Sequence, residues 1–145
     1  MKISSRARYA TRILIYLAGK RGHAPVRKHE IAKNEGISPD YVEQILINLR
    51  AAGLVASQRG PAGGFVLTIP PEKISVKQII EAVDGPVALA PCLVGACDRV
   101  LNCPARRLWH ETSALLARKL AATNVAQLAE QADSGKVPTS LWFEI

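Results

Sequence analysis

Residues 37–67 read ISPDYVEQILINLRAAGLVASQRGPAGGFVL and carry the strongest structural pattern in the chain. Ser38 can accept a hydrogen bond from a free backbone N–H at the start of a helix, and Pro39 suits the first helical position. Four apolar residues then recur at helical spacing: Val42, Ile45, Leu46 and Leu49. Gly53 can take the left-handed conformation that ends a helix. The stretch therefore opens with a predicted amphipathic helix whose opposite face is polar.

A β-hairpin is predicted directly after this helix. Two short apolar segments, residues 54–55 and 65–67, flank residues 59–64, which read RGPAGG and are rich in turn-forming residues. A helix followed by a glycine-rich hairpin with an arginine at its tip is typical of a wing. Together with a shorter preceding helix, the pattern predicts a winged helix-turn-helix fold that is mainly α with one small β-hairpin.

The polar face of this helix and the tip of the wing supply candidate contacts to DNA. Glu43 can accept a hydrogen bond from cytosine N4, and Gln44 can form two hydrogen bonds with adenine in the major groove. Tyr41 can reach a phosphate or a thymine methyl group, and Arg59 suits the narrow, electronegative minor groove. The predicted DNA-binding residues are Ser38, Tyr41, Glu43, Gln44, Arg50, Arg59 and Gly60.

The net charge of +7 lies entirely in the part of the chain that contains the predicted helix and wing. Residues 1–60 hold eleven Lys or Arg against four Asp or Glu, whereas residues 61–145 hold eight of each. Such a basic surface favours double-stranded DNA as a partner, because each neutralised phosphate releases counterions. A solvated basic face that maintains solubility would give the same count, so charge supports DNA binding without proving it.

The composition predicts a folded protein of one domain with a modest core, since 48% of its 145 residues are hydrophobic and 21% are charged. The apolar run at residues 13–18 is shorter than the roughly 18 residues of a membrane helix, and basic residues rather than a cleavage site follow it. We therefore expect a cytoplasmic protein with no membrane partner. The sequence shows no nucleophile–base pair, phosphate loop or HExxH motif, so we do not expect an enzyme.

Four other helices are predicted from capping residues and apolar spacing. They run from residue 4 or 5 to 19, from 27 to 34, from the capping box at 75–78 to 83, and, after a cap at Thr123, to 132. A tail follows, and its last five residues, LWFEI, are predicted to form an apolar anchor. The predicted divisions are a winged helix-turn-helix region (1–86), a cysteine loop (87–103), a helical dimerisation region (104–132) and the tail (133–145).

Three cysteines, Cys92, Cys97 and Cys103, lie within twelve residues. In a reducing cytoplasm, such a group is more typical of metal binding or redox chemistry than of a disulfide framework. Cys103 precedes Pro104 at a predicted helix N-terminus, where the helix dipole favours the thiolate form that binds metals. The spacing alone leaves four possibilities open: an iron–sulfur cluster, a zinc site, a metal-free dithiol switch and three inert buried thiols.

A long helix is predicted from residue 104 to residue 122. At a rise of 1.5 Å per residue it spans roughly 28 Å, which exceeds what the core of a small domain requires. Its larger apolar side chains are Leu108, Trp109, Leu115, Leu116 and Leu120. We expect a second copy of the chain to cover part of this surface in a homodimer, although packing within one chain would also satisfy the pattern.

The motifs of this chain resemble those of the Rrf2 family of bacterial transcription regulators, in register from about residue 1 to about residue 130. The residues that carry the resemblance are Ile31-Ala32, Gly36-Ile37-Ser38, Tyr41, Glu43-Gln44, Leu49, Ala52-Gly53-Leu54-Val55, Ser57, Arg59-Gly60 and Gly63-Gly64-Phe65. The resemblance implies that Glu43 and Gln44 contact base edges and that Arg59 enters the minor groove. It also implies an antiparallel pairing of two long helices, and hence a pseudo-palindromic operator.

The same resemblance implies a [2Fe-2S] or [4Fe-4S] cluster on the three cysteines, as in a large branch of the family. The function we expect is therefore a DNA-binding transcription regulator that senses iron, redox state or nitric oxide. The sequence departs from the family pattern because Arg106 stands where some members have a ligating histidine, and Arg8 where others place a carboxylate from the partner subunit. The fourth ligand stays open among His110, Asp98, Glu111, a small molecule and water.

Two alternatives belong to different classes of protein. The first is a cluster-free winged-helix regulator that is controlled by thiol oxidation or by a protein partner. The second is a small iron–sulfur redox protein whose basic half contacts an acidic partner. Iron and sulfide analysis and a salt-dependent DNA titration separate these readings, because phosphate contacts make DNA binding sensitive to salt.

Overall fold

The computed structural model describes residues 3–135, and within them six α-helices accompany one two-stranded antiparallel sheet. The helices are α1 (Ser5–Gly19), α2 (Lys28–Glu35), α3 (Pro39–Ala51), α4 (Val76–Asp84), α5 (Pro104–Ala122) and α6 (Val125–Asp133). The strands are β1 (Val55–Gln58) and β2 (Gly64–Leu67), and single turns of 3-10 helix occupy Pro71–Lys73 and Pro91–Leu93. The predicted class, mainly α with one small hairpin, is confirmed. The predicted apolar anchor at residues 141–145 lies outside the described residues.

Capping contacts fix the starts of three helices where the sequence predicts them. The Ser4 hydroxyl accepts a hydrogen bond from the backbone N–H three residues later at 3.0 Å, and the Ser38 hydroxyl does the same at 3.2 Å. Ser75 and Gln78 form a complete capping box. Because each cap satisfies an N–H group that has no partner inside the helix, α1, α3 and α4 begin at the predicted positions.

The start of α6 corrects the sequence analysis, because the cap is Asn124 and not Thr123. The Asn124 side chain accepts from the Gln127 backbone N–H at 2.9 Å, and the Gln127 side chain accepts from the Asn124 N–H at 3.0 Å. The Thr123 hydroxyl instead donates to the Lys119 carbonyl, one turn earlier, at 3.1 Å. Thr123 therefore completes the end of α5, and the next residue opens the new helix.

One hydrophobic core lies between α1, α3 and α4, and α6 packs against α1. The largest fully buried side chains are Ile13, Leu14, Ile31, Val42, Ile45, Leu46, Leu49, Ile74, Ile79 and Val125. This set contains the whole predicted inward face of α3. Because burial of each such side chain contributes about 1.5–3 kcal/mol relative to exposure, the core strongly fixes which face of α3 points outward.

The wing is the hairpin of β1 and β2, in which Val55 pairs with Leu67 and Gln58 pairs with Gly64. A third segment joins it, because the Val26 N–H donates to the Phe65 carbonyl at 3.1 Å and the Phe65 N–H donates to the Val26 carbonyl at 2.8 Å. A Cβ atom at Gly64 would lie 2.5 Å from the Val26 carbonyl oxygen. Glycine is therefore required where these two backbones approach each other.

Helix α5 has the predicted bounds, but most of its apolar side chains lie outside the core. Ser113 is buried, whereas the exposed fractions are 55% for Leu108, 41% for Trp109 and 58% for Leu115. Exposed apolar residues grouped on one element are typical of an interaction surface. Among residues 3–135 the structure contains no helix that is long and apolar enough to cross a membrane.

Candidate nucleic-acid interface and cysteine loop

The polar face of α3 is open to solvent. Glu43, Gln44 and Arg50 are exposed, whereas the apolar positions of the same helix face the core. Ile47 differs from those positions, since it is 56% exposed and lines a shallow groove with Arg50 and residues 55–57 of β1. The exposed face of α3 thus adjoins strand β1 of the hairpin across this groove, as in a winged helix-turn-helix.

Glu43 is held by a residue that the sequence analysis missed. Its carboxylate forms an ion pair with the ammonium group of Lys28, the first residue of α2, and the two side chains are 51% and 29% exposed. The hydrogen bond from Lys28 lowers the pKa of Glu43 below its ordinary value, and the same contact raises the pKa of Lys28. Glu43 is therefore an ionised acceptor at neutral pH. The two residues lie fifteen positions apart, and no local pattern in the sequence pairs them.

Tyr41 has a packing role besides its predicted contact to DNA. Its ring is half-buried and lies edge-on to Tyr9 of α1, with the ring centres 6.0 Å apart and the planes at 83°. The Arg12 guanidinium lies 5.7 Å from the centre of the Tyr9 ring, and Arg12 Nε lies 2.6 Å from a carboxylate oxygen of Glu35. The Glu35 side chain is only 3% exposed. These contacts join α1, α2 and α3, and they fix the recognition helix in place.

The tip of the wing is exposed but tied to the rest of the domain. Arg59 is exposed, and Gly60 has a φ of +112°, which side-chain-bearing residues rarely adopt. Arg27 Nη2 donates to the Pro61 carbonyl at 2.6 Å. Arg27 immediately precedes α2, so the tip that carries Arg59 is linked to the start of the helix-turn-helix.

The cysteine loop is attached to α5 at two points. The Leu89 N–H donates to the buried Ser113 hydroxyl at 3.0 Å, and Arg106 Nη1 donates to the Cys92 carbonyl. Cys92, Cys97 and Cys103 are all free, half-buried thiols, and Cys103 directly precedes the first turn of α5 without capping it through its side chain. Arg106 stands where the family resemblance led us to look for a ligating histidine. Its side chain instead ties the loop to α5.

The described residues contain no group of three or more His, Cys, Asp or Glu side chains arranged to hold a metal ion. The donors nevertheless have the right chemistry for a thiophilic metal centre, because all three thiols are free and partly accessible. Of the candidate fourth ligands, His110 is exposed and lines a cavity of about 210 Å³ with Leu93 and Val94. Glu111 instead pairs with Arg107, at 2.7 Å between Oε1 and Nε.

Comparisons with known sequences agree with this architecture. A family profile, Rrf2, described as an iron-dependent transcriptional regulator, matches residues 3–131. The HTH-type transcriptional regulator IscR of Aliivibrio salmonicida is 36% identical over 129 residues, which cover 88% of this chain and 77% of that protein. The protein of the same name from Cereibacter sphaeroides is 41% identical over 120 residues, which cover 79% and 77%.

Solved structures give the same result. CymR, described as the global cysteine regulator of B. subtilis, is 35% identical, with a TM-score of 0.77 over 90% of this chain and 97% of that chain. T. potens IscR is 28% identical, with a TM-score of 0.77 over 94% of this chain and 91% of that chain. These likenesses confirm the winged helix-turn-helix fold that the sequence predicts.

Proposed function

The chain belongs to the Rrf2 family of DNA-binding transcription regulators, and we propose that an iron–sulfur cluster held by Cys92, Cys97 and Cys103 controls its binding to a pseudo-palindromic operator. The observation that carries the proposal is the position of the three free thiols. They lie on one loop that is tied to α5 through Arg106 and Ser113. A change in that loop can therefore reach the helix that we assign to subunit pairing.

Direct reading of bases is assigned to α3 and the wing. Glu43 and Gln44 lie on the exposed face of α3, and Arg59 lies at the exposed tip. The remaining members of this surface are Ser38, Tyr41, Arg50 and Gly60, which we assign to contacts with the DNA backbone, with a thymine methyl group as the alternative target of Tyr41. The assignment predicts that Gln44→Ala removes about 1–3 kcal/mol of discrimination at one base pair, while Arg50→Ala weakens all sequences alike. Equal loss across random sites for Gln44→Ala would remove its assigned role.

Homodimerisation is assigned to the exposed apolar face of α5, where Leu108, Trp109 and Leu115 are 41–58% exposed in a single chain. Leu115→Glu places a charge in the proposed seam, so we expect sedimentation at low micromolar protein to give the mass of one chain instead of two. Lys33→Glu changes the charge at an exposed site on α2, away from α5, and serves as the control. A dimer that survives Leu115→Glu would place the interface elsewhere.

The three thiols supply the donor type that an iron–sulfur cluster requires, and His110, which lines a cavity beside Leu93 and Val94, is the candidate for the fourth ligand that we test. When bound, such a cluster would supply a redox-active centre, and its loss or a change in its charge would alter the loop that holds it. The protein's own part is to hold or release the loop around Cys92 through Arg106. The loop can thus be held by Arg106 or released. The cluster can alter DNA binding only by the difference between its affinities for these two states of the loop.

The experiment is anaerobic purification followed by a visible spectrum, iron and sulfide analysis, and operator titrations with matched cluster-loaded and cluster-free protein. We expect a coloured protein, loss of colour in Cys92→Ala, Cys97→Ala and Cys103→Ala, and a change in operator affinity when the cluster is removed. His110→Ala should shift the spectrum without abolishing it. Identical operator affinity and sequence preference in the two forms would refute control by the cluster.

A second candidate is a metal-free thiol switch, in which the three free thiols of the loop respond to oxidation. Two of the three thiols would form a disulfide on oxidation, releasing two protons and two electrons to an oxidant such as peroxide. CymR, at 35% identity, is described as a cysteine regulator, and an oxidised form of the Staphylococcus aureus protein of that name is among the similar structures, at 34% identity and a TM-score of 0.74. A colourless, iron-free protein whose operator affinity responds to peroxide would favour this candidate.

A further inference from the structure

Three consecutive residues before and at the start of α2 contact each part of the proposed reading surface. Val26 pairs through its backbone with Phe65 in the wing, at 3.1 and 2.8 Å. Arg27 donates to the Pro61 carbonyl at the wing tip, at 2.6 Å. Lys28 forms an ion pair with Glu43 on the recognition helix. One short segment thus touches strand β2 of the wing, the tip of the wing and helix α3.

We propose that Arg27 and Lys28 are positioning residues that set sequence preference without touching bases: Lys28 orients Glu43, and Arg27 fixes the tip that carries Arg59. The proposal rests on the roles assigned to Glu43 and Arg59 under the proposed function.

The role of Lys28 follows from the negative charge of Glu43. A carboxylate that enters the major groove is repelled by the phosphates on either side. A flexible glutamate side chain also loses rotamer freedom when it binds cytosine N4. A neighbouring ammonium group offsets the repulsion and holds the carboxylate in one orientation. Glu43 remains 51% exposed in this pair, so an oxygen stays available to a base. Lys28 thereby favours cytosine over other bases at the position that Glu43 faces.

The pair has little to do for folding. Water and salt screen an ion pair with this much exposure, and such pairs contribute little to stability. The contact joins the two helices of the helix-turn-helix at the residue assigned to base reading, and the hydrogen bond favours the ionised form of Glu43 by lowering its pKa. Its effect is therefore expected in DNA preference rather than in thermal stability.

Arg27 acts on the tip of the wing. Arg59 lies two residues before Pro61, and Gly60 between them allows the tip to adopt many backbone conformations. The hydrogen bond from Arg27 to the Pro61 carbonyl restricts the tip to one of them. A restricted tip delivers the Arg59 guanidinium to one depth in the minor groove, where a narrow A·T-rich groove is favoured. Arg27 thereby acts on sequence preference at the base pairs that flank the half-site, and not at the base pairs assigned to α3.

The test uses the full chain in one fixed redox state and a random duplex library. Selection with the unmodified protein defines the operator, and each base pair of a half-site is then varied singly and its binding measured. The variants are Lys28→Met and Arg27→Met, which keep most of each apolar stem. Lys33→Met is the matched control, because Lys33 is an exposed lysine of the same helix. Thermal unfolding checks that each variant is folded.

We expect Lys28→Met to lower the preference for C·G at one base pair of each half-site by about fivefold, while Lys33→Met lowers binding equally for all sequences. Arg27→Met should leave that base pair unchanged and relax the preference for A·T pairs at the flank. Because each residue acts through another, Lys28→Met should have no further effect on preference in a Glu43→Ala background. The same independence is expected of Arg27→Met in an Arg59→Ala background.

The outcomes separate this proposal from the one on which it rests. If Glu43→Ala shifts base preference but Lys28→Met behaves like Lys33→Met, Lys28 is an ordinary phosphate contact and the positioning role is wrong. If Lys28→Met still changes preference in the Glu43→Ala background, it reads bases itself and the proposal is also wrong. If Glu43→Ala leaves every base preference unchanged, the readout assigned to Glu43 fails and the role of Lys28 fails with it.

Discussion

Residues 5–67 and residues 87–122 use their apolar side chains in opposite ways. In the first region, the large aliphatic residues of α1 and α3 that face inward are fully buried, and serine side chains cap both helices. In the second, Val94 is 60% exposed, Leu101 is 91% exposed and Leu115 is 58% exposed. The first region buries its large apolar side chains and caps its helices within one chain. The second leaves apolar surface exposed and three thiols free within one chain.

The difference indicates where control can enter. Changing the arrangement of a packed core costs several kcal/mol, so the exposed polar face of α3 has one orientation. The cysteine loop is held by few contacts, chiefly Leu89 to Ser113 and Arg106 to Cys92, and a bound group or second subunit can outweigh them. Regulation through the loop therefore requires much less free energy than regulation through the core.

The largest expected effect comes from replacing leucine by alanine at one buried and at one exposed position. Leu46→Ala removes a side chain that is 1% exposed, and we expect the free energy of unfolding to fall by about 2–5 kcal/mol. Leu101→Ala removes one that is 91% exposed, and we expect a change within about 0.5 kcal/mol. Urea unfolding of reduced, metal-free protein at one protein concentration measures both. A comparable loss at Leu101 would mean that a partner covers the loop, and the comparison would fail.

A second pair replaces glycine by alanine. At Gly64 the new methyl group would lie 2.5 Å from the Val26 carbonyl oxygen, so the wing strand must shift, at a cost of about 1–3 kcal/mol. At Gly95 the nearest atom is the Pro91 carbonyl oxygen at 3.5 Å, an ordinary contact, so we expect a change between zero and a gain of about 1 kcal/mol.

Unfolding measurements and operator titrations distinguish the two glycines further. Gly64→Ala should weaken operator binding because it moves the wing, whereas Gly95→Ala should leave the binding of the cluster-free protein unchanged. Equal tolerance at both positions would show that the wing adapts as easily as the loop does.

Local chemistry explains how much of the fold could be predicted from the sequence. Ser38 and Pro39 specify the start of α3, and the spacing of its four inward residues specifies the buried face, so both are recovered without any long-range information. Thr123 was misassigned because two adjacent residues can each cap a helix, and only the structure shows that the Thr123 hydroxyl donates back to the Lys119 carbonyl.

The candidate site was less predictable because its defining contacts join distant parts of the chain. Glu43 could be chosen from the polar face of α3, but its partner Lys28 lies on another helix, and Arg27 reaches a carbonyl 34 positions away. The three cysteines could be chosen from their spacing. Their arrangement could not, because the loop that carries them has neither helical nor strand period, and the described residues contain no group of three or more possible ligand side chains placed to hold a metal ion.

The smallest expected effect compares the residues that precede α3 and α5. Ser38→Ala deletes a cap whose hydroxyl accepts at 3.2 Å, so we expect a loss of about 1 kcal/mol in the free energy of unfolding. Cys103→Ala deletes a side chain that makes no capping hydrogen bond, and the metal-free protein should change by less than about 0.5 kcal/mol. A thiol that contributes nothing to its own helix is available to a ligand. If metal-free Cys103→Ala loses as much stability as Ser38→Ala, Cys103 has a structural role, and the contrast between the two regions no longer holds at this helix start.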